Sequence, residues 1–406
     1  MTAHARSFAI LGKRADVWPV AAMLARQLPG HAEISVTLSP GSVEETAVIP
    51  LADPYFAALD IGAEELVRAG ARFALGYALE GFAGEGSRVI AAPSGDLPAL
   101  GGLAFHHIFH RVAGEAKALD RFGEIYEGFR FCSRAAGQGS MALPEDAPDS
   151  PLAMLGPLAI IKRERLADLL EATVSAGRIS LTEDPQADFI IDLKARQSDE
   201  ATLDLSLLSQ SQIAADNDGL PTYRLQEGTS ESFALAEPWQ GNRIRLGPAS
   251  AAMGPMFSAD ARLLLLQVMQ LMECLPSSSA ANVEARRFNR LHERSVQRLY
   301  EICAAPIVLG RKDCPGEYVP EGLALRIDQF HSRGRLPELD GEIADRQFWI
   351  DLLISFGIVP HRHDRRADGI DARQLDRALG TIRGQLEQSL AAMPTMREFM
   401  QRFGDS

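Results

Sequence analysis

The sequence predicts an α/β fold in which a parallel sheet is followed by a helical C-terminal region. Residues 7–12 form an apolar run typical of a buried strand, and residues 18–28 have the pattern of a helix. A second strand at 33–38 completes a strand–helix–strand unit within about 30 residues, the length typical of a parallel sheet. Beyond residue 258 the apolar spacing becomes that of helices.

The turn between the first strand and the first helix has the outline of a dinucleotide-binding motif without its residues. In Gly-x-Gly-x-x-Gly the first glycine makes the tight turn, the second admits the pyrophosphate, and the third packs helix against strand. Gly12 keeps the first position, whereas Arg14 and Val17 occupy the other two, and Ser39 stands where an acidic residue normally ends the second strand. The sequence therefore predicts a Rossmann-like, FAD/NAD(P)-binding type of core whose phosphate turn is blocked or reshaped. The positive charges of Lys13 and Arg14 would also allow the turn to bind a free anion. Asp16 is a nearby salt-bridge partner for these charges, so loss of phosphate binding without a replacement ligand is favoured.

The remaining pattern divides the chain into a degenerate FAD-binding-type domain, 1–256, and a helical C-terminal region, 257–406. The acidic, proline-rich stretch 144–151 is the clearest linker. A third strand of the central sheet is expected at 189–193, and Asp371 and Thr395 are expected as helix N-caps. Amphipathic or apolar spacing predicts helices at 163–176, 259–275, 281–303, 345–356, 371–392 and 395–403.

Composition and charge restrict the functional classes. Of 406 residues, 46% are hydrophobic and 23% charged, which is ordinary for a globular protein, and the net charge of -13 argues against nonspecific binding to nucleic acid. The four cysteines show no C-x-x-C pair, which predicts free thiols in a reducing compartment. The N-terminus leads directly into strand one, and no apolar run of about 18 residues occurs. We therefore expect a cytoplasmic protein with no signal peptide and no membrane span. The cysteines are Cys132, Cys274, Cys303 and Cys314.

A set of short segments occurs in a fixed order along most of the chain. Residues 239–249, which include Asn242 and Gly247, fit the pattern W-x-x-N-x-V-A-I-G-L-A, and 253–258 stand where F-x-E-P-L-E-S-T opens a long helix. Further matches are 187–192 to A-D-x-x-I-D, 71–76 to A-T-F-K-L-G, Glu45 and Pro50 to G-E-x-T-x-P, and the stretches 288–290, 356–360 and 393–399. Together these segments resemble the flavin-dependent tryptophan halogenases, a branch of the flavin monooxygenase superfamily. The resemblance implies FAD as the cofactor.

The same resemblance places altered residues at the catalytic positions. The family's lysine, held to carry or position the hypohalous oxidant, is Ala74 here, and its substrate-side glutamate is Phe257, although Ser258 remains. Arg72 is expected on the same strand face as Ala74, but a guanidinium stays protonated and is a poor substitute for a lysine that must release a proton. The W-x-W-x-I-P signature is missing from 220–238, and Leu193-Lys194-Ala195 replaces C-S-G. Compared with the family pattern, the altered residues thus imply that no catalytic residue remains and that FAD binding is weak or lost. The cofactor contacts that the resemblance implies are retained are Gly12, Trp18, Asn242 and Gly247.

Three other groups of residues are candidate sites. His106 and His110 have the i, i+4 spacing of a zinc pair, but no glutamate or third ligand accompanies them, which favours packed histidines over a metal site. Residues 361–366 suit either an anion site or a solvated loop, and the loop is favoured. A basic stripe suits an acidic partner, nucleic acid or a solvated helix face bridged to Glu284, Glu293 and Glu301, and the bridged face is favoured. The stripe comprises Arg286, Arg290, Arg294 and Arg298.

Two hypotheses of function follow. The first is a catalytically inactive halogenase-like protein that acts as a binding or partner protein, since cofactor and catalytic positions are lost together. Its expected partners are a second copy of itself, an active relative or an aromatic small molecule, and not nucleic acid. The second is an active FAD-dependent halogenase or monooxygenase acting on an indole or other aromatic substrate, supported by the retained residues Gly12, Trp18, Asn242 and Gly247.

Overall fold

A computed structural model describes residues 7–147, 149–195, 202–276, 281–311 and 319–404. Its helices are α1 (Arg14–Gln27), α2 (Pro54–Ala58), α3 (Ala63–Arg68), α4 (Phe105–Glu115), α5 (Phe122–Tyr126), α6 (Phe131–Gln138), α7 (Arg163–Ala172), α8 (Ser206–Ser209), α9 (Ala259–Glu273), α10 (Asn282–Gly310), α11 (Glu321–Arg333), α12 (Arg346–Ser355), α13 (Ala372–Ala392) and α14 (Met396–Gly404). Its strands are β1 (Ser7–Gly12), β2 (Glu33–Leu38), β3 (Thr46–Pro50), β4 (Arg72–Ala74), β5 (Tyr77–Glu80), β6 (Arg88–Ala91), β7 (Leu158–Lys162), β8 (Ser180–Leu181), β9 (Phe189–Asp192), β10 (Gln212–Asp216), β11 (Thr222–Gln226), β12 (Phe233–Ala234), β13 (Trp239–Gln240), β14 (Arg243–Arg245) and β15 (Ala251–Ala252).

The central sheet has six strands in the order β13-β14-β9-β1-β2-β8. Strand β1 lies in its interior, parallel to β2 on one side and β9 on the other, with Phe8 opposite both Ile34 and Phe189. The middle of β1 is fully buried, as expected for a parallel strand covered on both faces. The predicted α/β fold with a parallel sheet containing 7–11, 33–38 and 189–192 is therefore confirmed.

Helix α1 covers this sheet and packs against α7 and α9. It begins at Arg14, four residues before the helix start expected at Trp18 (18 − 14), with Lys13 as its N-cap. The amide groups of Asp16 and Val17 both donate to the Lys13 carbonyl, at 3.0 Å each. Residues with ordinary helix propensity occupy the second and third glycine positions, so the helix extends into the turn.

The chain forms two compact units, each assembled from separate stretches. Unit 1 comprises Met1–Arg72, Ala159–Ile213 and Gln226–Cys303, and unit 2 comprises Phe73–Leu158, Ala214–Leu225 and Ala304–Ser406. The six-stranded sheet with α1, α7 and α9 lies in unit 1, whereas α4 to α6 and α11 to α14 lie in unit 2. The two units alternate along the chain. The serial division into 1–256 and 257–406 stays a prediction.

The helical C-terminal region is also present, and its two expected N-caps are confirmed. The Asp371 carboxylate accepts from the Gln374 amide at 3.0 Å, directly before α13. Thr395 and Glu398 form a reciprocal pair before α14, in which the Glu398 carboxylate accepts from the Thr395 amide at 2.8 Å. Helix α11 was not predicted.

Three further sequence expectations concern single features. Cys132, Cys274 and Cys303 are free and buried, and Cys314 lies outside the described residues. The expected linker contains Pro148, which also lies outside them, and it is followed by a short 3-10 helix, Pro151–Met154. Within the described part of the chain, no helix is both long and apolar enough to cross a membrane.

Candidate functional site

Gly12 ends β1 at the point where a dinucleotide-binding motif begins. A Cβ atom on Gly12 would lie 2.8 Å from the Cβ of Leu193, which follows β9. The Gly12 carbonyl accepts from the Ser39 amide at 2.7 Å. The glycine is therefore required for close approach of neighbouring chain segments inside unit 1, independently of any ligand.

Arg14, at the second glycine position, is bound to the side of α7. Its Nη1 donates to the Asp168 carboxylate at 2.7 Å and lies 3.4 Å from the Glu164 carbonyl, and its Nη2 pairs with the Glu171 carboxylate. The side chain is 29% exposed. The expected pairing of Arg14 with Asp16 is wrong. Arg14 pairs with the carboxylates of α7, and Asp16 pairs with Arg163 instead.

Asp16 supplies a carboxylate at the N-terminus of α1. It is 2% exposed, and its Oδ1 accepts from the Arg163 guanidinium at 2.5 Å. Arg163 also pairs with Glu45 at 3.1 Å. Burial raises the pKa of Asp16, and the Arg163 charge acts against that shift. Because Asp16 is the third residue of α1, its carboxylate lies at the positive end of the helix dipole, where a phosphate group would otherwise bind.

Gly247, a second expected cofactor contact, takes part in a buried hydrogen-bond network. Its amide donates to Gln267 Oε1 at 2.7 Å, and Gln267 Nε2 donates to Ser250 Oγ at 2.7 Å and His292 Nδ1 at 2.9 Å. His292 Nε2 donates to the Leu235 carbonyl at 3.0 Å. Burial lowers the pKa of His292 to about 4, so the ring is neutral near pH 7 and accepts at Nδ1. The Gly247 amide is thus already satisfied by protein.

The other two expected contacts are in different environments. The Asn242 residue is exposed, and its backbone carbonyl accepts from the Ile190 amide at 2.9 Å as β14 joins β9. Trp18 is buried in α1, and its Nε1 has no hydrogen-bond partner among the described residues. All four expected contacts lie in unit 1.

The two positions that were expected to correspond to the halogenases' catalytic residues are both buried. Ala74 is 5% exposed and Phe257 is 1% exposed, whereas Arg72 at the start of β4 is exposed. Phe257 and Ser258 have φ of 51° and 52°, left-handed conformations that cost about 1–3 kcal/mol each in non-glycine residues. The Ser258 hydroxyl accepts from the Val48 amide at 2.9 Å, which fixes this turn. The chain thus has a strained turn at this position, but the phenyl ring of Phe257 has no group that can accept or donate a proton.

The histidines of α4 are packed against backbone carbonyls. His106 Nε2 donates to the Gly334 carbonyl at 2.6 Å, and His110 Nε2 donates to the Pro360 carbonyl at 2.7 Å. Burial lowers the pKa of His106 to about 3. No group of three or more metal-ligating side chains occurs among the residues that the structure describes. These contacts agree with the favoured interpretation of packed histidines.

The arginine stripe on α10 is partly bridged, as expected. Arg298 pairs with Glu301 at 2.7 Å. Arg286 and Arg290 line an open cavity of about 520 Å³ in unit 1, together with Glu237 and Glu293. Equal numbers of basic and acidic side chains line this cavity, so its charge favours neither an anion nor a cation.

Comparison with known proteins shows which family model and which solved structures the chain resembles. The family model described as tryptophan halogenase matches residues 178–372. No curated protein matches the chain by sequence. Among solved structures, the fold is similar to BrvH, a flavin-dependent halogenase from Brevundimonas sp. BAL3, with a TM-score of 0.82 at 17% identity, covering 98% of this chain and 99% of that chain.

Two further structures show the same similarity. Xcc4156, a flavin-dependent halogenase from Xanthomonas campestris, has a TM-score of 0.81 at 18% identity and covers 99% of both chains. SttH, a tryptophan 6-halogenase from Streptomyces toxytricini, has a TM-score of 0.77 at 13% identity, covering 97% of this chain and 99% of that chain. The fold is therefore that of the flavin-dependent halogenases.

The structures that this fold resembles are flavin-dependent halogenases, but the residues at the α1 N-terminus of this chain do not fit a flavin pyrophosphate. The second glycine position carries the Arg14 side chain, which is held by α7, and the buried Asp16 carboxylate would repel a phosphate at the helix N-terminus. The Gly247 amide is bonded to Gln267. Sequence reasoning identified Arg14 but missed Arg163 and Gln267, whose partners lie far along the chain.

Proposed function

We propose that this protein is a halogenase-family member that does not catalyse flavin-dependent halogenation and acts instead as a binding or partner protein. The observation that carries the proposal is the ion pairing at the start of α1, where Arg14 and Asp16 are both satisfied by α7 residues. A glycine at the second position would leave space and free amide groups for a pyrophosphate. In this chain the side chains of Arg14 and Asp16 occupy that region and form ion pairs with α7 within unit 1.

The catalytic positions support the same proposal. Ala74 offers neither a charge nor a proton to hold an oxidant, and Phe257 cannot accept a proton from an aromatic ring during substitution. General acid–base assistance alone is worth about 10²–10⁴ in rate. The chain therefore lacks both the acid–base groups of the halogenation step and the turn that would bind the flavin. We place the protein in the cytoplasm, where its buried thiols stay reduced.

The test is a flavin-binding and halogenation assay on the purified chain. We expect a colourless preparation, no heat of binding with oxidised or reduced FAD, and no halogenated tryptophan or indole when FAD, a flavin reductase, halide and oxygen are supplied. The double variant Ala74→Lys/Phe257→Glu is expected to remain inactive, because the flavin turn is unchanged. The flavin-dependent halogenase from Xanthomonas campestris, assayed in parallel, is the positive control for the flavin measurement.

Two outcomes would overturn the proposal: a yellow protein with flavin absorbance, or a halogenated product that disappears when flavin is omitted. Either would revive the alternative of an active FAD-dependent halogenase or monooxygenase on an aromatic substrate. If neither appears, a pull-down from the native host and a measurement of molar mass in solution distinguish an active relative from a second copy as the partner.

A further inference from the structure

Unit 2 contains a cavity of about 370 Å³ between the start of α4 and the turn after α11. Ligand sites for small organic molecules have volumes of about 300–1,000 Å³. Leu97 and Ile350, at 6% and 1% exposure, give this cavity an apolar wall. The cavity is therefore large enough, and apolar enough on one side, to hold the body of a small organic molecule.

The charged residues that line the cavity carry more positive than negative charge. Asp364 accepts from two arginines: Arg366 Nη2 lies 3.0 Å and Arg335 Nη2 lies 3.2 Å from the same Oδ2. Arg346 pairs with Asp96 at 3.0 Å. Hydrogen bonds from Arg366 hold the pKa of Asp364 well below its usual value, so this carboxyl stays ionised. Among the described residues that line the cavity there are thus three guanidinium groups and two carboxylates, an excess of one positive charge.

His107 adds an unfilled hydrogen-bonding position. Its side chain is 6% exposed, and its Nδ1 has no partner among the described residues. The atom faces the turn that lines the cavity, because a Cβ on Gly334 would lie 3.1 Å from it. Burial lowers the pKa of His107 to about 4, so the ring contributes no charge near neutral pH. A hydrogen bond from a ligand would give this buried nitrogen the partner that it lacks among the described residues.

We propose that this cavity is a binding site for a small organic monocarboxylate, with the carboxylate on Arg335 and Arg366 and the apolar body against Leu97 and Ile350. A single negative charge neutralises the excess of one guanidinium, and a guanidinium binds a carboxylate through paired hydrogen bonds. The neutral His107 ring contacts a polar group on the body. No flavin contact contributes to this site, so it goes beyond the proposed function and does not depend on it.

The experiment is calorimetric titration of the full chain with three acids, phenylacetate, indole-3-acetate and octanoate, and with the primary amide of each, near neutral pH and at low salt. We expect at least one acid to bind roughly tenfold or more tightly than its amide, because only the acid carries the charge. In the Arg335→Gln/Arg366→Gln variant that preference is expected to disappear. Arg68→Gln is the matched control, since Arg68 is an exposed, ion-paired arginine of α3 in unit 1.

The proposal is overturned if no acid binds better than its amide, or if the preference survives in the double variant. Equal binding of inorganic phosphate at the same site would identify a simple anion site instead. Thermal unfolding of each variant checks folding, and single Arg366→Gln provides a milder change if the double variant unfolds. The titrations contain no flavin, so their failure is separate from any failure of the proposed function.

Discussion

Two arginine–carboxylate clusters in this molecule are built from the same residue types but differ in their balance of charge. At the start of α1, Arg14 faces Asp168 and Glu171, and Arg163 faces Asp16 and Glu45, so carboxylates outnumber guanidinium groups. In the unit 2 cavity, Asp364 alone serves two arginines.

The comparison teaches that an arginine count does not by itself indicate an anion site. What matters is whether carboxylates of the protein already satisfy the guanidinium groups and whether space remains beside them. The α1 cluster lies where the fold is expected to admit a pyrophosphate, yet its arginines are satisfied. The cavity lined by Asp364 has both an excess charge and an apolar wall.

The largest expected effect is on stability in the α1 cluster. Arg163→Met leaves the Asp16 carboxylate buried without its partner, and removal of one member of a buried ion pair costs about 3–5 kcal/mol. Arg14→Met is the matched control. Because Asp168 and Glu171 are about half exposed, that loss should be about 1 kcal/mol or less. Urea unfolding of the two variants measures the difference, and equal losses would contradict the assignment of Arg163 as the buried partner.

The strands and helix caps that were predicted correctly from the sequence are indicated by patterns of residues close together in the chain. The apolar runs at β1, β2 and β9 are continuous because these strands are covered on both faces, and the caps Asp371 and Thr395 act within three residues of themselves. The start of α1 was expected four residues late, because the glycine motif suggested a longer turn than Arg14 allows.

The interactions that decide the sites are not local, and this is why the sequence did not reveal them. Arg14 and Asp168 are 154 residues apart, and Arg163 and Asp16 are 147 apart. Residues 361–366 were interpreted as a solvated loop, yet Asp364 and Arg366 line a cavity with residues from α4 and the turn after α11. Only tertiary packing brings these three segments together.

The second prediction tests the cavity through pH. Burial lowers the pKa of His107 to about 4 in the folded protein, below the ordinary histidine pKa of about 6.5, so the unfolded chain binds more protons between these values. His107 therefore makes stability fall as the pH drops from 6.5 to 4, by at most about 1.4 kcal/mol per pH unit for one proton. His107→Leu should reduce this acid sensitivity, whereas His31→Leu, at an exposed position, serves as the control. Unfolding free energies measured across this pH range test it, and an unchanged slope in His107→Leu would contradict the burial argument.

The smallest expected effect is the stability change on removing a cavity arginine. Arg366 and Arg335 are 69% and 62% exposed, and both bond the same carboxylate, so Asp364 keeps one partner when either is replaced. Exposed ion pairs contribute about 0–1 kcal/mol, so Arg366→Gln should shift the urea midpoint very little, in contrast to Arg163→Met. A small stability change combined with a large loss of carboxylate binding would mean that Arg366 is placed for a ligand. A loss as large as that of Arg163→Met would instead show that the cavity arginines hold unit 2 together, and the contrast between the two clusters would fail.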